Sequence, residues 1–289
     1  METQPQASEK GISVIIPALN EEGGIGNVIL DIKKVLNGVF PYEIIVVDDG
    51  STDKTATVAR ELGAKIVHSP VTMGYGFSLK RGFREARYEY AIITDGDSTY
   101  PQEKILDLVK KLETGFDMVV GIRRGASINT RHPARLLFKH ICEFVVGKKI
   151  PDINSGFRAI RRSKIVPLLG DFSNGFSFST SSTMIFTLKG YFIGYIPIHY
   201  GKRVGKSKVR FIRDTARTAQ ILTDIIVHYN PIKLFILLSL IPLLLFVILL
   251  TTWIWSSNHL LLLPSVIVFC FTILIFSIGL IANIFRKDL

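Results

Sequence analysis

The spacing of apolar positions changes twice along this chain, and each change marks a different kind of element. In the first section the apolar residues come in short runs. Ile12–Pro17 and Glu43–Asp48 are β-branched and nearly continuous, as strands covered on both faces of a sheet require. Ala64–His68, Tyr90–Thr94 and Asp117–Ile122 read as three further strands. The segment opening at Asn20–Gly26 predicts a helix to about Leu36. Ser51 or Thr52 can cap a second from Asp53 to Leu62, ended by Gly63. Pro101 sits where a proline starts a helix, here running to Leu112 and closed by Gly115. Strand and helix in alternation predict an α/β doubly wound sheet, with ligands outside the carboxyl ends of its strands.

From Phe211 to Asn230 the period lengthens. Ile212, Ala216, Ala219, Leu222, Ile225 and Ile226 recur every three or four residues, with Arg213, Arg217 and Asp224 between them. That is an amphipathic helix, suited to a membrane interface or to packing on a globular domain. Beyond it the pattern becomes almost uniformly apolar. Leu234–Trp255 is 22 residues without a charge and Leu260–Phe285 is 26. Either can cross a hydrocarbon core at about 1.5 Å per residue. Lys233 precedes the first run, and Arg286 and Lys287 follow the second, so the positive-inside rule predicts both chain ends in the cytoplasm. No charge lies within the runs, which suits an anchor, and a possible contact between copies of the chain, better than a transport path. The expected division is a globular domain over 1–210, a juxtamembrane helix over 211–230 and two transmembrane helices over 231–289. Met1–Lys10 is polar and has no apolar stretch of the signal-peptide kind.

Composition agrees with a hydrophobic tail on a polar domain: the mean hydropathy is +0.34. The 35 Lys and Arg against 24 Asp and Glu give a net charge of +11. The basic residues cluster at Arg123–Arg135, Lys139–Lys149, Arg158–Lys164 and Lys202–Arg217. With an apolar tail behind them, these clusters point to phosphate groups and an anionic membrane surface rather than to nucleic acid. Cys142 and Cys270 fall in different sections, so no disulfide is expected.

The candidate chemistry lies at predicted strand ends. Pro17-Ala18-Leu19-Asn20-Glu21-Glu22 follows the first strand, Asp48-Asp49-Gly50-Ser51 the second, and Asp95-Gly96-Asp97 the fourth. Any one of these could be ordinary turn chemistry; three on one sheet edge suggest a site. Asp95 and Asp97 flank a glycine and offer hard oxygen ligands, suited to Mg²⁺ or Mn²⁺ that takes its other ligands from water and substrate phosphates. No His/Cys cluster suggests zinc, and the chain has neither a P-loop nor a GxGxxG dinucleotide fingerprint. Gly74 and Gly76 in Met73-Gly74-Tyr75-Gly76 are expected to let a loop approach the ligand.

Val14–Glu22 (VIIPALNEE), Val46–Asp53 (VVDDGSTD), Asp95–Asp97, Asp152–Arg162 (DINSGFRAIRR) and Tyr200–Lys208 (YGKRVGKSK) together resemble the family-2 glycosyltransferases of the GT-A fold. Within that family they are most similar to polyprenyl-phosphate sugar synthases of the dolichyl-phosphate mannose synthase kind. The resemblance covers about Ile12 to Lys208 and implies a nucleotide-sugar donor and a lipid-phosphate acceptor. It implies that Pro17, Ala18, Asn20, Glu21, Asp48, Asp49, Gly74 and Asp95 surround the donor nucleotide. Asp95 and Asp97 would bind the metal. Arg123, Arg131, Arg135, Ser155 and Arg203 would meet the acceptor phosphate, Arg123 and Arg203 also serving the transfer itself. Two positions depart from the pattern. Thr99 stands where a glutamine often adds a metal ligand, and Lys139 stands four residues after Arg135 where a serine is common. The donor sugar and the acceptor contacts therefore stay open. A processive polysaccharide synthase shares the fold, but the Gln-x-x-Arg-Trp sequence is absent. A nucleotidyltransferase would leave the Ser-Gly-Phe-Arg and Gly-Lys-Ser-Lys segments unexplained, and a non-catalytic scaffold would not need the paired aspartates.

Overall fold

A computed structural model describes residues 10–124, 133–201, 211–256 and 258–285. The chain falls into two compact units, Met1–Thr218 and Ala219–Leu289.

In the first unit, β1 (Ile12–Ala18), α1 (Ile25–Leu36), β2 (Tyr42–Asp48), α2 (Thr55–Glu61), β3 (Lys65–His68), α3 (Tyr75–Glu85) and β4 (Tyr90–Ile93) alternate. A 3₁₀ turn at Gln102–Lys104 leads into α4 (Ile105–Glu113), followed by β5 (Met118–Arg124) and α5 (Pro133–Val146). Then come β6 (Arg158–Arg161), α6 (Arg162–Ile165), α7 (Phe178–Leu188) and β7 (Ile193–His199). The strands form one seven-stranded sheet in the order β3-β2-β1-β4-β6-β5-β7. β2, β1 and β4 are parallel neighbours, with Ala18 opposite Asp48 and Ile15 opposite Ile93. Their carboxyl ends therefore share one edge, as the doubly wound reading requires.

The sheet is mixed, not wholly parallel: β6 runs antiparallel to both β4 and β5. Arg-Ala-Ile-Arg is too short and too charged to announce a strand. It is one because Ala159 and Ile160 fill core positions while Arg158 and Arg161 donate to backbone carbonyls. The helix predicted from Asp53 begins at Thr55, because Asp53 itself accepts from the Thr55 N–H at 2.9 Å. No sequence pattern set out above anticipates α3, α5, α6, α7 or β7 either.

β1 is buried throughout, and its alternate residues face different partners. Val14 and Ile16 belong to a core with Ile25, Ile29 and Ile32 of α1 and Leu108 of α4. On the other face, Ile15 and Val47 meet α3 so closely that a Cβ on Gly82 would lie 2.3 Å from Ile15 Cγ2. Phe83 of α3 stacks on Phe178 of α7 at 6.2 Å, extending this second layer.

The helix α8 (Phe211–Tyr229) matches the predicted amphipathic segment. Along it Leu222, Ile225 and Ile226 are buried while Thr223 and Asp224 are exposed. In the second unit, α9 (Pro231–Ser256) and α10 (Leu262–Phe285) are long and apolar enough to cross a membrane. They pack on each other through Phe246 and Phe269, whose ring centres are 4.8 Å apart, and through Phe235 against Gly279. At Gly279 a Cβ would come within 2.4 Å of the Phe235 side chain, so a small residue sets the helix separation there. Pro242 lies inside α9 without ending it.

Replacing Gly82 with alanine tests the α3–β1 packing. Alanine in a helix gains roughly 1 kcal/mol over glycine, whereas overpacking a core costs roughly 1–3 kcal/mol. The expected result is a net loss of up to about 2 kcal/mol, read as a lower thermal midpoint of the detergent-solubilised chain. A raised midpoint would show that the contact yields freely.

Candidate active site

The loops after β1 and β2 are laced together by hydrogen bonds between backbone and side chains. The Asn20 N–H donates to Ser51 Oγ at 2.9 Å, and the Thr52 N–H donates to Asn20 Oδ1 at 2.8 Å. Below them the Glu21 N–H donates to Thr55 Oγ1 and the Glu22 N–H to Asp53 Oδ2. Asn20 holds a positive φ of 50° to make this turn, a conformation asparagine tolerates better than most residues. Pro17 and Ala18 are buried in the last two positions of β1. The two aspartates ending β2 are also engaged. Asp48 accepts from the Ser51 N–H at 3.0 Å and lies 2.8 Å from His68 Nδ1. Asp49 accepts from the N–H groups of Met73 and Gly74 at 2.8 and 2.9 Å. Both carboxylates are buried. They hold the loops at this edge of the sheet in place.

Gly74 and Gly76 each lie close against another stretch of backbone. A Cβ on Gly74 would lie 2.8 Å from the Asn174 carbonyl oxygen, and one on Gly76 would lie 2.2 Å from that of Ser173. The close approach is to the backbone of the loop before α7. Gly74 also has a φ of 111° at the start of α3.

The Asp95–Asp97 turn sits against the N-terminal turn of α1. A Cβ on Gly24 would meet the Gly96 carbonyl oxygen at 2.6 Å, and Ser98 Oγ donates to the Gly24 carbonyl at 3.3 Å. Asp97 is buried and accepts from both the N–H and the hydroxyl of Thr99, at 3.1 and 2.6 Å. Thr99 thus orients Asp97 from the position where the sequence pattern suggested a metal ligand. Its own carbonyl accepts from the Gly201 N–H at 2.9 Å, which brings the beginning of the Tyr200–Lys208 segment to this turn. Asp95 accepts from the Tyr75 hydroxyl at 3.1 Å. Burial raises the Tyr75 pKa well above that of an ordinary phenol, and the charge on Asp95 adds to the effect. The phenol therefore stays protonated as a donor.

The 152–157 segment is a structured loop between α5 and β6. Arg123, near the end of β5, forms a two-pronged ion pair with Asp152: Nε to Oδ2 at 2.8 Å and Nη2 to Oδ1 at 2.9 Å. Burial alone would lower the Arg123 pKa, but the hydrogen bond and charge of Asp152 leave it raised. Asp152 is pushed up by burial and pulled further down by Arg123, ending below the ordinary carboxylate range. Arg123 also lies over the Tyr200 ring at 5.5 Å. In this state its guanidinium fork faces a protein carboxylate, so any phosphate contact there has to displace or share Asp152. Ser155 is fully buried, and its hydroxyl has no hydrogen-bond partner among the described residues. Arg131 and Arg203 lie outside the described residues, and Arg135 is described only as backbone of α5.

Residues 13–167 match the family described as Glycosyl transferase family 2. The chain belongs to that family. It is 29% identical over 202 residues to a dolichyl-phosphate hexose transferase of Haloferax volcanii, covering 68% of this chain and 86% of the relative. It is 33% identical over 168 residues to a dolichol-phosphate mannosyltransferase of Pyrococcus furiosus, covering 53% of this chain and 47% of that one. Among solved structures it resembles glucosyl-3-phosphoglycerate synthase from Mycobacterium tuberculosis in complex with Mn²⁺, UDP-glucose and phosphoglyceric acid. The TM-score is 0.61 and the identity 26%, over 75% of this chain and 79% of that one. The sheet of this glycosyltransferase is accordingly of the GT-A kind, and two long apolar helices follow it in the chain.

The donor atoms suit a divalent ion. Two carboxylates flank Gly96, and among the described residues no group of three or more His, Cys, Asp or Glu side chains could hold a metal. An ion bound by one or two carboxylates, with water and substrate phosphates completing its shell, is the usual Mg²⁺ arrangement. Three side chains that the sequence did not single out contact the predicted residues or their loops: Tyr75, Tyr100 and His68. Tyr75 opens a helix whose apolar spacing, Leu79 to Phe83, was available to read. Tyr100 and His68 are single residues with no pattern around them.

The Arg123–Asp152 pair makes a pH prediction. Its depressed aspartate pKa means the stabilisation is present above the unfolded value, about 3.9, and is lost as pH falls through the folded value. Asp152→Asn should cost about 1–3 kcal/mol near neutral pH, the partners being mostly but not wholly buried. The gap to wild type should narrow as pH falls below about 4, followed by thermal unfolding in detergent. A gap unchanged with pH would exclude the ion pair as its source.

Proposed function

We propose that this glycosyltransferase moves a hexose from a nucleotide-diphosphate sugar to the phosphate of a polyprenyl lipid of the dolichyl kind, yielding a lipid-linked monosaccharide. The observation that carries this reading is the placement of the Asp95–Asp97 turn at the carboxyl edge of a family-2 sheet, in a chain that continues into two helices long enough to cross a bilayer. The names of the relatives support the lipid-phosphate acceptor, although the chain spans only about half of some of them. GDP-mannose and UDP-hexoses are both donors of the right chemistry.

In this reading the domain over 1–210 is catalytic, 211–230 lies at the interface and 231–289 anchors the chain, with both ends cytoplasmic. Contacts between copies through the hairpin belong to the same reading. A prenyl chain cannot leave the bilayer, so an anchored active site works where its acceptor is confined. Asp95 and Asp97 hold Mg²⁺ or Mn²⁺, which would neutralise the diphosphate leaving group. The relatives solved with Mn²⁺ or Mg²⁺ and UDP support that assignment. Pro17, Ala18, Asn20 and Glu21, held by the 48–55 loop, frame the donor nucleotide, with Asp48, Asp49 and Gly74 fixing that frame. A lipid phosphate is already ionised near neutral pH, so the chain has to hold two anions in line rather than supply a strong base. Arg123, Arg131, Arg135 and Arg203 are the cations for that task, and Ser155 belongs to the same acceptor set. Direct attack by the phosphate oxygen on the anomeric carbon breaks its bond to the diphosphate and inverts the configuration.

Membranes containing the chain should form a lipid-extractable sugar from polyprenyl phosphate and one of GDP-mannose, UDP-glucose or UDP-GlcNAc, with Mn²⁺ supplied. Asp97→Asn should reduce that product by about 100-fold or more while the chain still folds. Absence of product with every donor would overturn the transferase reading, and full activity of the variant would overturn the metal assignment.

A further inference from the structure

The loop 152–157 and the Asp95–Asp97 turn are distant in sequence and belong to different motifs, yet they meet at one atom. Gly156 Cα lies beside Asp95. A Cβ on Gly156 would stand 2.9 Å from the Tyr75 hydroxyl, 3.2 Å from the Tyr100 hydroxyl and 3.5 Å from Asp95 Oδ1. The Tyr75 hydroxyl is itself the donor to Asp95 Oδ1 at 3.1 Å, and the Gly156 N–H donates to the Tyr100 hydroxyl at 2.8 Å. Tyr100 in turn stacks on Phe157 at 5.3 Å. Two tyrosine hydroxyls and one oxygen of Asp95 thus converge on a single glycine.

What holds that glycine in place is Arg158. Its guanidinium is fully buried. Nε donates to the Ser155 carbonyl at 2.7 Å, and Nη2 donates to the Ile153 carbonyl at 3.0 Å. Nη1 donates to Ser182 Oγ at 3.0 Å and to Thr183 Oγ1 at 2.8 Å, both on α7. One planar fork therefore ties two carbonyls of the loop to a helix behind it. Burying a cation among neutral oxygens is costly, and burial lowers the Arg158 pKa to about 10. It nevertheless remains protonated at neutral pH. A lysine would carry the same charge, but its donors radiate from one nitrogen and do not match a planar array of acceptors. From the other side, Thr180 Oγ1 on the same helix reaches Asn154 Oδ1 at 3.1 Å.

We propose that Arg158 is a positioning residue for the metal-binding carboxylate: by fixing the 153–156 backbone against α7 it sets Gly156, and through Gly156 the Tyr75–Asp95 pair. The inference rests on the reading above that Asp95 holds a divalent ion. Supporting groups of this kind around a metal ligand typically change affinity by about 10–100-fold when altered.

The test uses the full chain in detergent and the dissociation constant of Mn²⁺, measured by calorimetry with UDP present and separately with GDP present, alongside transfer kinetics. Asp95→Asn is the control for the metal reading. If it leaves Mn²⁺ binding unchanged, that reading fails whatever Arg158 does. Given loss of binding in the control, Arg158→Lys and Gly156→Ala should each weaken Mn²⁺ by about tenfold or more and lower kcat, whatever happens to KM for the lipid acceptor. Combining either variant with Tyr75→Phe should cost less than the sum of the separate effects, because both act on one carboxylate. If Arg158→Lys does not fold, Gly156→Ala and its pairing with Tyr75→Phe decide the matter alone. Folded variants with unchanged Mn²⁺ affinity and kcat, or with an effect confined to the acceptor KM, would overturn the proposal.

Discussion

Parallel pairing of β1 with both β2 and β4 is the constraint on which the rest of the catalytic unit depends. Parallel neighbours all end at the same edge, so the loops after them have to be neighbours too. The register makes this specific. Ala18 stands opposite Asp48, and β4 leaves the ladder at Ile93, opposite Ile15. The Asp95–Asp97 turn therefore begins below the end of β1 and folds against the first turn of α1. There Gly24 permits contact with the Gly96 carbonyl. Polar residues at this edge divide into those that fasten one loop to another and those that face the turn. Asp48, Asp49 and Asp53 do the fastening, to His68, to the Met73 and Gly74 N–H groups and to the Glu22 N–H respectively.

A second constraint comes from polarity inside the unit. β6 inserts antiparallel between β4 and β5 and introduces Arg158 into the core. An isolated buried cation would be strongly unfavourable, and here every acceptor reached by its nitrogens at 3.0 Å or less is a carbonyl or a hydroxyl. The hydroxyl-rich start of α7 exists in this context as a counterpart to that guanidinium. It also explains why α7 shows little amphipathic pattern: Ser179 through Thr183 are all buried. The apolar hairpin obeys a different rule, since its helices satisfy their own backbone groups and can present leucine and isoleucine outward.

The sequence by itself determined a good deal. Apolar runs of strand length, separated by helix-length segments, were enough for the α/β class and for β1 to β5. Uncharged runs beyond Leu234 were enough for two long helices, because length and composition alone decide whether a helix can cross a bilayer. Five motifs sufficed to identify the family. Local chemistry was legible wherever its cause was local, as at the Asp-Gly-Asp turn.

Only the tertiary structure decided which of those residues are engaged with one another. Arg123 reads as a free cation until Asp152, 29 residues away, is found on its guanidinium. The packing of Gly74 and Gly76 on the backbone of 173–174 likewise leaves no trace in the sequence around them. Tyr75, Tyr100 and Gly156 carry no joint signal, since they come from three elements that only the crossing strands bring together. β6 was hidden for the same reason: its two core residues acquire their partners from β4 and β5. Periodicity records what a residue does to its own element, whereas a long-range hydrogen bond leaves no mark on the spacing around either partner.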